Sequence, residues 1–357
     1  MAIAIRDERA GDAAAIRAVL EAAFGQGEEA ALVDALRASG AATRSLVATA
    51  GGEGAGDGAP EVVVGHVLFS PVAIDTPVGR RHAVGLAPLA VAPAAQRRGV
   101  GRALVAAGLA RLRAEGHGAV IVLGDPAYYG RLGFVDARRF GLAWEVPGHE
   151  AAFQALELEP GALAGAAGTV RYRPEVMGHR VRLARGDELG AIQALERAAA
   201  ERFRASTHPH AAELPPLAVE ELAGLRAEGG LWVIEIDGAP AAFVALARLD
   251  RDGVGAGDLY VVELDVAPAH AGARLGAALL DHAGLVAARR GLARLVLRTF
   301  ADVPWNAPYY RRLGFADVPA TELSPGLVAV VGREAAAGLD VERRVTLARA
   351  VAPPRRA

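Results

Sequence analysis

A glycine- and arginine-rich segment in the first half of the chain has the residue types of an anion-binding loop. It reads Gln96-Arg-Arg-Gly-Val-Gly101, is followed by Arg102, and lies between a predicted strand and a predicted helix. Glycines let backbone N–H groups turn toward one point, and a helix start adds partial positive charge. With three arginines, the segment predicts a site for a pyrophosphate or another dianion. It is not the Rossmann fingerprint, because the glycine spacing differs and no acidic residue follows at the required distance.

An altered copy of this segment lies in the second half. Val91-Ala-Pro-Ala before the first loop reappears as Val266-Ala-Pro-Ala, and the second loop reads Ala271-Gly-Ala-Arg-Leu-Gly276. Arg274 stands where the first loop has Gly99. We expect a Cβ at this position to weaken anion binding, although the arginine adds charge.

Paired tyrosines form a second repeated motif. Tyr128-Tyr-Gly-Arg-Leu-Gly-Phe134 reappears as Tyr309-Tyr-Arg-Arg-Leu-Gly-Phe315. Because both motifs recur in the same order at domain-length spacing, the chain is predicted to be a tandem duplication and not a solenoid of short repeats. We expect the first tyrosine of each pair to pack in the core beside Gly-Phe.

Both halves show the same order of predicted elements around these motifs. A helix comes first, a strand leads into the loop, a helix starts there, and a strand and a short helix follow. The predicted helices span 12–24, 101–115, 187–203 and 276–290, and the strands flanking the loops span 83–91, 119–123, 259–266 and 295–299. Asp125 and Asn306 are predicted N-caps of the short helices. The pattern restarts after 174–179, which predicts domains 1–176 and 177–357.

Composition excludes several classes of chemistry. The chain has 357 residues, a length typical of two domains, and contains neither cysteine nor lysine, so all 39 residues counted as Lys or Arg are arginine. Missing cysteine excludes thiol nucleophiles, disulfides and Cys-ligated zinc. Missing lysine excludes a P-loop and Schiff-base chemistry.

Charge and hydropathy narrow the expected partners. The net charge is −2, which argues against nucleic-acid binding and against a polybasic membrane surface. No segment reaches 18 consecutive apolar residues, and the first residues lack the apolar core of a signal peptide. We therefore expect a cytoplasmic protein that binds no membrane. His208-Pro-His210 has no third ligand nearby in sequence, so no metal site is expected.

Together, these motifs resemble those of the GNAT N-acetyltransferase superfamily. Leu89-Ala-Val-Ala-Pro93 followed by Gln96-Arg-Arg-Gly-Val-Gly101 is similar to its acyl-CoA signature, and both Tyr-x3-Gly-Phe segments are similar to another of its motifs. Gly124-Asp-Pro-Ala-Tyr-Tyr129 resembles the YhbS-like branch. The resemblance covers nearly all of the chain as two consecutive domains. It implies an α+β fold, with a twisted, mostly antiparallel sheet flanked by helices in each domain.

The resemblance also implies where acetyl-CoA binds. In this family the strand before the loop pairs with pantetheine, and the loop amides hold the pyrophosphate. Pro88 fits independently, because a proline within a strand belongs at an edge or a bulge, and a backbone N–H freed there can stabilise an oxyanion. The implied acetyl-CoA-binding residues are Leu89, Ala90, Val91, Gln96, Arg97, Arg98, Gly99, Val100, Gly101 and Arg102 in the first domain, and Leu264, Asp265, Val266, Gly272, Arg274, Leu275, Gly276 and Asn306 in the second.

The same resemblance implies an acid and a base. Tyr129 and Tyr310 match the family's general acid, and a phenol with a pKa near ~10 suits protonation of a thiolate whose thiol titrates near ~8.5. Glu263, three residues before Val266, stands where the family often has a carboxylate and is the predicted base. Asp265 alternates to the same face, so that one of the two carboxylates is expected to be solvated.

In the first domain no residue stands out as the base. Pro88 occupies the position of Glu263, and His82, Glu28, Glu29 or a water chain are the remaining options. The two domains depart from the family's pattern in complementary ways, since the first keeps the anion-binding loop and the second keeps the predicted base. One domain is therefore expected to be weak or degenerate.

The expected activity is transfer of an acetyl group from acetyl-CoA to a primary amine of a small molecule or peptide. We expect direct attack in a ternary complex without a covalent enzyme intermediate. The alternative is that one or both halves are non-catalytic acyl-CoA-binding or interaction modules. A nucleotide-binding oxidoreductase is disfavoured by the glycine spacing. The internal pseudo-dimer is compatible with a monomer or with a homodimer.

Overall fold

The computed structural model describes residues 3–51, 61–146, 148–249 and 257–351. The chain divides into two compact units, Met1–Gly178 and His179–Ala357. We call them the N-terminal and the C-terminal unit and describe each by itself.

The sheet of the N-terminal unit has nine strands. They are β1 (Ile3–Asp7), β2 (Arg44–Ala50), β3 (Val62–Thr76), β4 (Gly79–Val91), β5 (Ala119–Leu123), β6 (Val135–Asp136), β7 (Leu142–Trp144), β8 (Phe153–Glu157) and β9 (Gly168–Arg171). The main path runs β1-β2-β3-β4-β5-β8-β6, and β9 joins β3 to β7. Neighbours are antiparallel along this path except β4 and β5, which are parallel.

Helices cover this sheet. They are α1 (Ala13–Phe24), α2 (Glu28–Ala38), α3 (Val100–Ala114) and the short α4 (Pro126–Tyr129). Leu104, Val105 and Leu112 of α3 are buried against Leu46, Phe69 and other residues of the central strands. Apolar residues three and four apart place one face of α3 on the sheet, and its N-terminus lies directly after β4.

The C-terminal unit repeats this arrangement with seven strands and five helices. The strands are β10 (Arg180–Leu183), β11 (Leu231–Ile236), β12 (Ala239–Leu249), β13 (Asp258–Val266), β14 (Arg294–Phe300), β15 (Ala316–Asp317) and β16 (Arg344–Ala350), in the order β10-β11-β12-β13-β14-β16-β15. The helices are α5 (Leu189–Ala200), α6 (Val219–Ala227), α7 (Leu275–Arg289), α8 (Ala307–Arg312) and α9 (Pro325–Ala336). Again one pair along this path is parallel, β13 with β14.

These two sheets confirm the predicted α+β fold with two consecutive domains. The helices predicted to start at the two loops are α3 and α7, and the strands predicted before them are β4 and β13. The sequence analysis missed α2, α6 and the β7–β9 pair. Helix α6 lacks a strong apolar stripe, with Leu222 alone buried among its residues, which is why periodicity does not mark it.

Candidate functional site

In the N-terminal unit, β4 and β5 separate part-way along their length. Val84, Gly85 and Leu86 pair with β5, whereas Leu89–Val91 pair with β3 alone. The Ala92 N–H donates to the Val64 carbonyl at 2.9 Å. Since ladder bonds alternate along an antiparallel strand, the N–H groups of Leu89 and Val91 face the open side. The predicted pantetheine-binding strand therefore has a free backbone edge.

The C-terminal unit opens at the equivalent point. β13 pairs with β14 at Asp258–Tyr260 only, so Leu264–Val266 have β12 as their single neighbouring strand. The Leu264 N–H on the open side donates to Oε1 of its neighbour Glu263 at 3.1 Å. This N–H, one of those expected to meet an acyl carbonyl, is thus already occupied by a carboxylate.

A β-bulge precedes the open edge in both units. Val67 pairs with Leu89 but Phe69 with Leu86, which leaves one extra residue on β4 around Pro88. In the C-terminal unit Val262 is the extra residue, immediately before Glu263. Bulges bend a strand and increase its twist, and the prediction that Pro88 lies at a bulge is confirmed.

The two loops share one backbone conformation despite their different sequences. In the first loop Arg97 and Gly99 have φ of 60° and 81°, and in the second loop Gly272 and Arg274 have φ of 84° and 60°. Left-handed residues in a tight turn can direct successive N–H groups toward a common point and form a nest for an anion. The second loop therefore keeps the nest. A Cβ at Gly99 would meet no protein atom within 4 Å, so Arg274 fits at the equivalent position.

Charge distinguishes the two loops. Arg97, Arg98 and Arg102 are exposed, and none forms a hydrogen bond or ion pair within the described parts of the chain. The corresponding positions of the second loop are Gly272, Ala273 and Ala277. Gln96 donates from Nε2 to the carbonyl of Val91 at 3.0 Å and so ties the first loop to the open strand. The first loop thus has the stronger positive field.

The first tyrosine of each pair lies at the start of the loop helix. A Cβ at Gly101 would lie 2.7 Å from the Tyr128 hydroxyl, and a Cβ at Gly276 would lie 3.7 Å from the Tyr309 hydroxyl. The Tyr128 hydroxyl is buried and has no hydrogen-bond partner among the residues that the structure describes. Both rings are partly buried against the core, as expected, but their hydroxyls reach the helix N-terminus, which the sequence did not reveal.

The second tyrosine of each pair also packs in the core, where Tyr129 is buried and Tyr310 is half-buried. Tyr129 is 8% exposed, and its ring covers Gly124 so closely that a Cβ there would overlap it. Burial raises the pKa of Tyr129 and of Tyr310, and a neighbouring tyrosine or carboxylate raises each further. Both phenols therefore stay protonated near neutral pH, and the raised pKa also makes each a weaker acid than a free phenol.

The predicted caps of the tyrosine helices differ. The Asp125 carboxylate accepts from the Ala127 N–H at 2.8 Å, as an N-cap does. Asn306 is the N-cap residue of α8, as predicted, but its side chain makes no capping hydrogen bond. Its φ and ψ of −109° and −116° differ from the extended values usual for a cap.

Carboxyl groups line the open strand of the C-terminal unit. The side chain of Leu264 points toward Gly276 of α7, so by strand alternation Glu263 and Asp265 face the opposite side, where α5 packs. Desolvation raises the pKa of Glu263, and desolvation together with Glu263 and Glu196 raises the pKa of Asp265 well above its usual range. Both carboxyls interact with Tyr310. The predicted base Glu263 is therefore near enough to the predicted acid Tyr310 to raise its pKa.

Two further residues join this cluster. Glu196 on α5 is buried, and burial followed by the charge of Glu263 raises its pKa to about 8. The guanidinium of Arg202 lies 4.3 Å from the centre of the Trp305 ring and interacts with Asp265 and Tyr310. Both residues lie in the predicted helix 187–203. A glutamate on the apolar face of this helix was the sequence signal that could have identified Glu196.

The equivalent face of the N-terminal unit is apolar. Pro88 and Ala90 stand where the C-terminal unit has Glu263 and Asp265. His82 lies six residues before Pro88 on β4, roughly 20 Å away along an extended strand, so it is not beside the open edge. Tyr172 has its hydroxyl buried without a hydrogen-bond partner and interacts with Tyr129. Neither position equivalent to Glu263 and Asp265 carries a carboxylate, and Glu145 accepts the backbone N–H of Tyr172 at 3.0 Å.

Comparison with known proteins gives the family. Residues 4–136 match a family model described as acetyltransferase (GNAT) domain, and residues 192–315 match one described as acetyltransferase (GNAT) family. The N-terminal half is 43% identical over 168 residues to the uncharacterised N-acetyltransferase YhbS of Escherichia coli K12, covering 47% of this chain and 95% of YhbS.

The chain belongs to the GNAT acetyltransferase family. Two family domains follow each other, so it is a tandem GNAT protein. It is also 33% identical over 187 residues to the uncharacterised N-acetyltransferase YjhQ of Escherichia coli K12, covering 51% of this chain and 92% of YjhQ.

Solved GNAT structures are similar to half of the chain. YhbS from Escherichia coli in complex with CoA is 41% identical, covers 49% of this chain and 92% of its own, and has a TM-score of 0.44. A GNAT acetyltransferase from Brucella melitensis in complex with acetyl-CoA is 38% identical, covers 49% of this chain and 98% of its own, and has a TM-score of 0.39.

Across residues 3–51, 61–146, 148–249 and 257–351, no helix has the length and apolar character needed to cross a membrane. The same ranges contain no group of three or more His, Asp or Glu side chains placed to hold a metal ion.

Proposed function

We propose that this tandem GNAT protein transfers an acetyl group from acetyl-CoA to a primary amine, and that the C-terminal unit performs the transfer. The observation behind the proposal is the meeting of Glu263 and Tyr310 beside an open strand and an anion nest. In the GNAT family, the position of Glu263 often carries the base and that of Tyr310 the acid. The open strand pairs with pantetheine, and the nest holds the pyrophosphate.

The residues of both units fit acyl-CoA. The free edges at Leu89–Val91 and Leu264–Val266 offer backbone partners to a pantetheine chain. The nests after them offer converging N–H groups to a pyrophosphate, and the first nest adds three exposed arginines. The cosubstrate supplies an acetyl thioester, which is reactive toward an amine without further activation of the carbonyl by a metal.

The transfer follows from these positions. Glu263 takes a proton from the acceptor ammonium, and the freed amine nitrogen attacks the thioester carbonyl carbon. The Leu264 N–H holds the carbonyl oxygen as negative charge develops there, once the Glu263 carboxyl has left it. The carbon–sulfur bond then breaks, and the Tyr310 hydroxyl gives its proton to the leaving thiolate. The resulting phenolate takes up the second proton of the attacking nitrogen, which leaves a neutral amide, and Glu263 releases its proton to solvent after product release.

A second function is favoured for the N-terminal unit. Pro88 and Ala90 supply no base beside its open edge, whereas its loop has the greater charge. We therefore propose that the N-terminal unit binds acyl-CoA tightly and transfers acetyl groups slowly or not at all. Tyr129 would then serve binding and packing more than proton transfer.

Calorimetric titration of the full chain with acetyl-CoA tests both proposals. The matched variants are Arg98→Glu and Ala273→Glu, which place a carboxylate at equivalent exposed loop positions. Each variant should lower the acetyl-CoA affinity of its own site by about tenfold or more, since charge-assisted contacts to phosphate are strong. The affinity of the other site should not change. One site lost with Arg98→Glu, and none with Ala273→Glu, would refute acyl-CoA binding by the C-terminal unit.

Turnover is then measured with a panel of primary amines and a thiol reagent. Because the chain contains no cysteine, any thiol released is CoA. We expect Ala273→Glu to abolish release and Arg98→Glu to leave most of it. Release that depends on Arg98 instead would assign catalysis to the N-terminal unit.

A further inference from the structure

The chain segment 201–213, which follows α5, extends from one side of the opening in the C-terminal sheet to the other. It begins beside β13, because α5 packs against that strand. It ends against the residues at the end of β14 and just after it. The His208 ring stacks on Phe300 with 4.0 Å between the ring centres. Thr207 Oγ1 and His208 Nε2 lie 2.9 and 2.7 Å from the Asp302 carboxylate oxygens.

Arg202 lies near the start of this segment, over the ring of Trp305. Its guanidinium carbon is 4.3 Å from the centre of that ring, and the ring of Phe203 packs against the same indole with 5.8 Å between the ring centres. Trp305 directly precedes Asn306, whose carbonyl accepts the N–H of Tyr310 at 3.0 Å. These contacts fix Arg202 beside the first turn of α8, the helix that carries the predicted acid.

The charge of Arg202 has no carboxylate partner in contact with it. Within the described residues it forms neither a salt bridge nor a hydrogen bond, and Asp265 acts on it only at longer range. Arg204, two residues further along, is paired instead, since its Nε donates to Glu201 at 2.7 Å and its Nη1 lies 3.8 Å from Glu213. A guanidinium presents a planar fork of N–H donors that matches a carboxylate. Arg202 is therefore available to an anionic group of a ligand.

The charged groups around the opening complement a zwitterion. Glu263 and Asp265 lie on β13, on the face where α5 packs, and Arg202 lies over Trp305 after β14. Neither carboxyl forms a salt bridge with Arg202 in the described parts of the chain. A ligand with an ammonium and a carboxylate would satisfy both charges, whereas a plain alkylamine would leave the guanidinium unpaired.

We propose that the acceptor is an amino acid and that Arg202 binds its carboxylate, which makes Arg202 a residue that determines acceptor specificity. The proposal rests on the proposed function, which brings the acceptor ammonium to Glu263. Arg202 takes no part in the transfer of protons or of the acetyl group. It selects among primary amines by charge, and it disfavours diamines, whose second ammonium would face a like charge.

The kinetic test compares acceptors in matched pairs. The standard L-amino acids, and ω-amino acids of two to six carbons, are each assayed beside their own carboxamide, which keeps the amine and the size but removes the negative charge. The readout is the ratio of kcat/KM for acid and carboxamide at saturating acetyl-CoA. Intrinsic differences between the two acceptors, such as the pKa of the amine, cancel when this ratio is compared between protein variants.

Three variants of the full chain decide the outcome. Arg202→Gln should lower the ratio by about tenfold or more, since charge-assisted hydrogen bonds to a carboxylate are strong. Arg202→Lys should lower it less, because lysine keeps the charge but loses the fork. Arg204→Gln is the matched control, because it removes an exposed arginine of the same segment that is already paired, and it should change the ratio less than twofold. An unchanged ratio in Arg202→Gln, or an equal fall in Arg204→Gln, would overturn the proposal.

Binding without turnover gives an independent readout. The full chain is labelled with ¹⁵N-tryptophan, saturated with CoA and titrated with each amino acid. The chain has three tryptophans, and Trp305→Phe identifies the indole signal of Trp305. That signal should shift with an amino acid, but not with its carboxamide and not in Arg202→Gln.

The two readouts separate failure of this proposal from failure of the proposed function. No shift of the Trp305 signal with any amino acid would refute the carboxylate site, even if the chain acetylates other amines. If the signal shifts and the shift depends on Arg202, but no amine is acetylated, the carboxylate site stands and the proposed function fails.

Discussion

The Tyr128 hydroxyl lies over Gly101, where a methyl group would come within 2.7 Å of it. The equivalent distance at Gly276 is an ordinary 3.7 Å to Tyr309. Replacing this glycine by alanine should therefore have opposite effects on stability in the two units. Gly276→Ala should stabilise the chain by up to about 1 kcal/mol through helix propensity, and Gly101→Ala should destabilise it by about 1–3 kcal/mol through overpacking.

Chemical denaturation of the full-length variants measures both effects. Tyr128→Phe removes the crowding oxygen, which has no hydrogen-bond partner, so the double variant with Gly101→Ala should recover most of the lost stability. No recovery would show that the strain at position 101 comes from elsewhere.

The loops allow a second prediction about the Cβ in the nest. Arg274 has the left-handed conformation that Gly99 has in the first loop, and a Cβ at Gly99 meets open space. Gly99→Arg should therefore fold, with a loss of about 1 kcal/mol from left-handed strain. Its acetyl-CoA affinity in calorimetry should fall less than tenfold. A complete loss of the first site would show that the ligand needs the space of that Cβ, as the sequence analysis assumed for Arg274.

How much of the fold and of the site can be predicted from the sequence depends on whether the signal for a feature is local in the chain. The repeated motifs fixed the duplication, the loop helices and the strands before them, because those signals are local and periodic. The bulge at Pro88 was predictable because proline cannot continue a central strand. The same local reasoning placed the N-cap at Asn306 correctly, but it did not show that the side chain makes no capping hydrogen bond.

The C-terminal site was predictable only in part. Glu263 and Tyr310 were found through family resemblance, since 47 residues separate them in sequence. Glu196 and Arg202 were not found, because Glu196 reaches the site through packing of α5 on β13 and Arg202 through the segment just after α5, and no spacing rule links those parts of the chain. The preserved conformation of the second loop was also missed, since a sequence does not show that arginine adopts φ of 60°.

The proposed acid and base give a third prediction. Tyr310→Phe should lower kcat by about 10²–10⁴-fold without changing acetyl-CoA affinity, and Glu263→Gln should lower kcat by a similar factor and flatten the acid limb of the pH profile. Tyr129→Phe is the matched variant in the N-terminal unit and should leave turnover within about twofold. Thiol release with saturating amine measures all three. A larger loss with Tyr129→Phe than with Tyr310→Phe would contradict the assignment of catalysis to the C-terminal unit.

Buried groups in the two units make stability depend on pH in opposite directions. His66 is fully buried on β3, with Nε2 2.9 Å from Ser45 Oγ, and burial lowers the pKa of His66 to about 3. Its unfolded value is 6.5, so the unfolded chain binds the extra proton first as pH falls. The stability that neutral His66 contributes is present above pH 6.5 and is lost below it, by about 2 kcal/mol at pH 5.

Glu196 acts with the opposite sign. Its pKa is raised from 4.5 to about 8, so the folded chain holds a proton that the unfolded chain releases. The resulting stability is present below pH 4.5 and is lost as pH rises through 8. Chemical denaturation between pH 5 and pH 8.5 should show both trends. His66→Gln should remove most of the loss at pH 5, and Glu196→Gln should remove the loss at pH 8.5. If His66→Gln retained the wild-type slope below pH 6.5, the buried neutral state of His66 would be disproved.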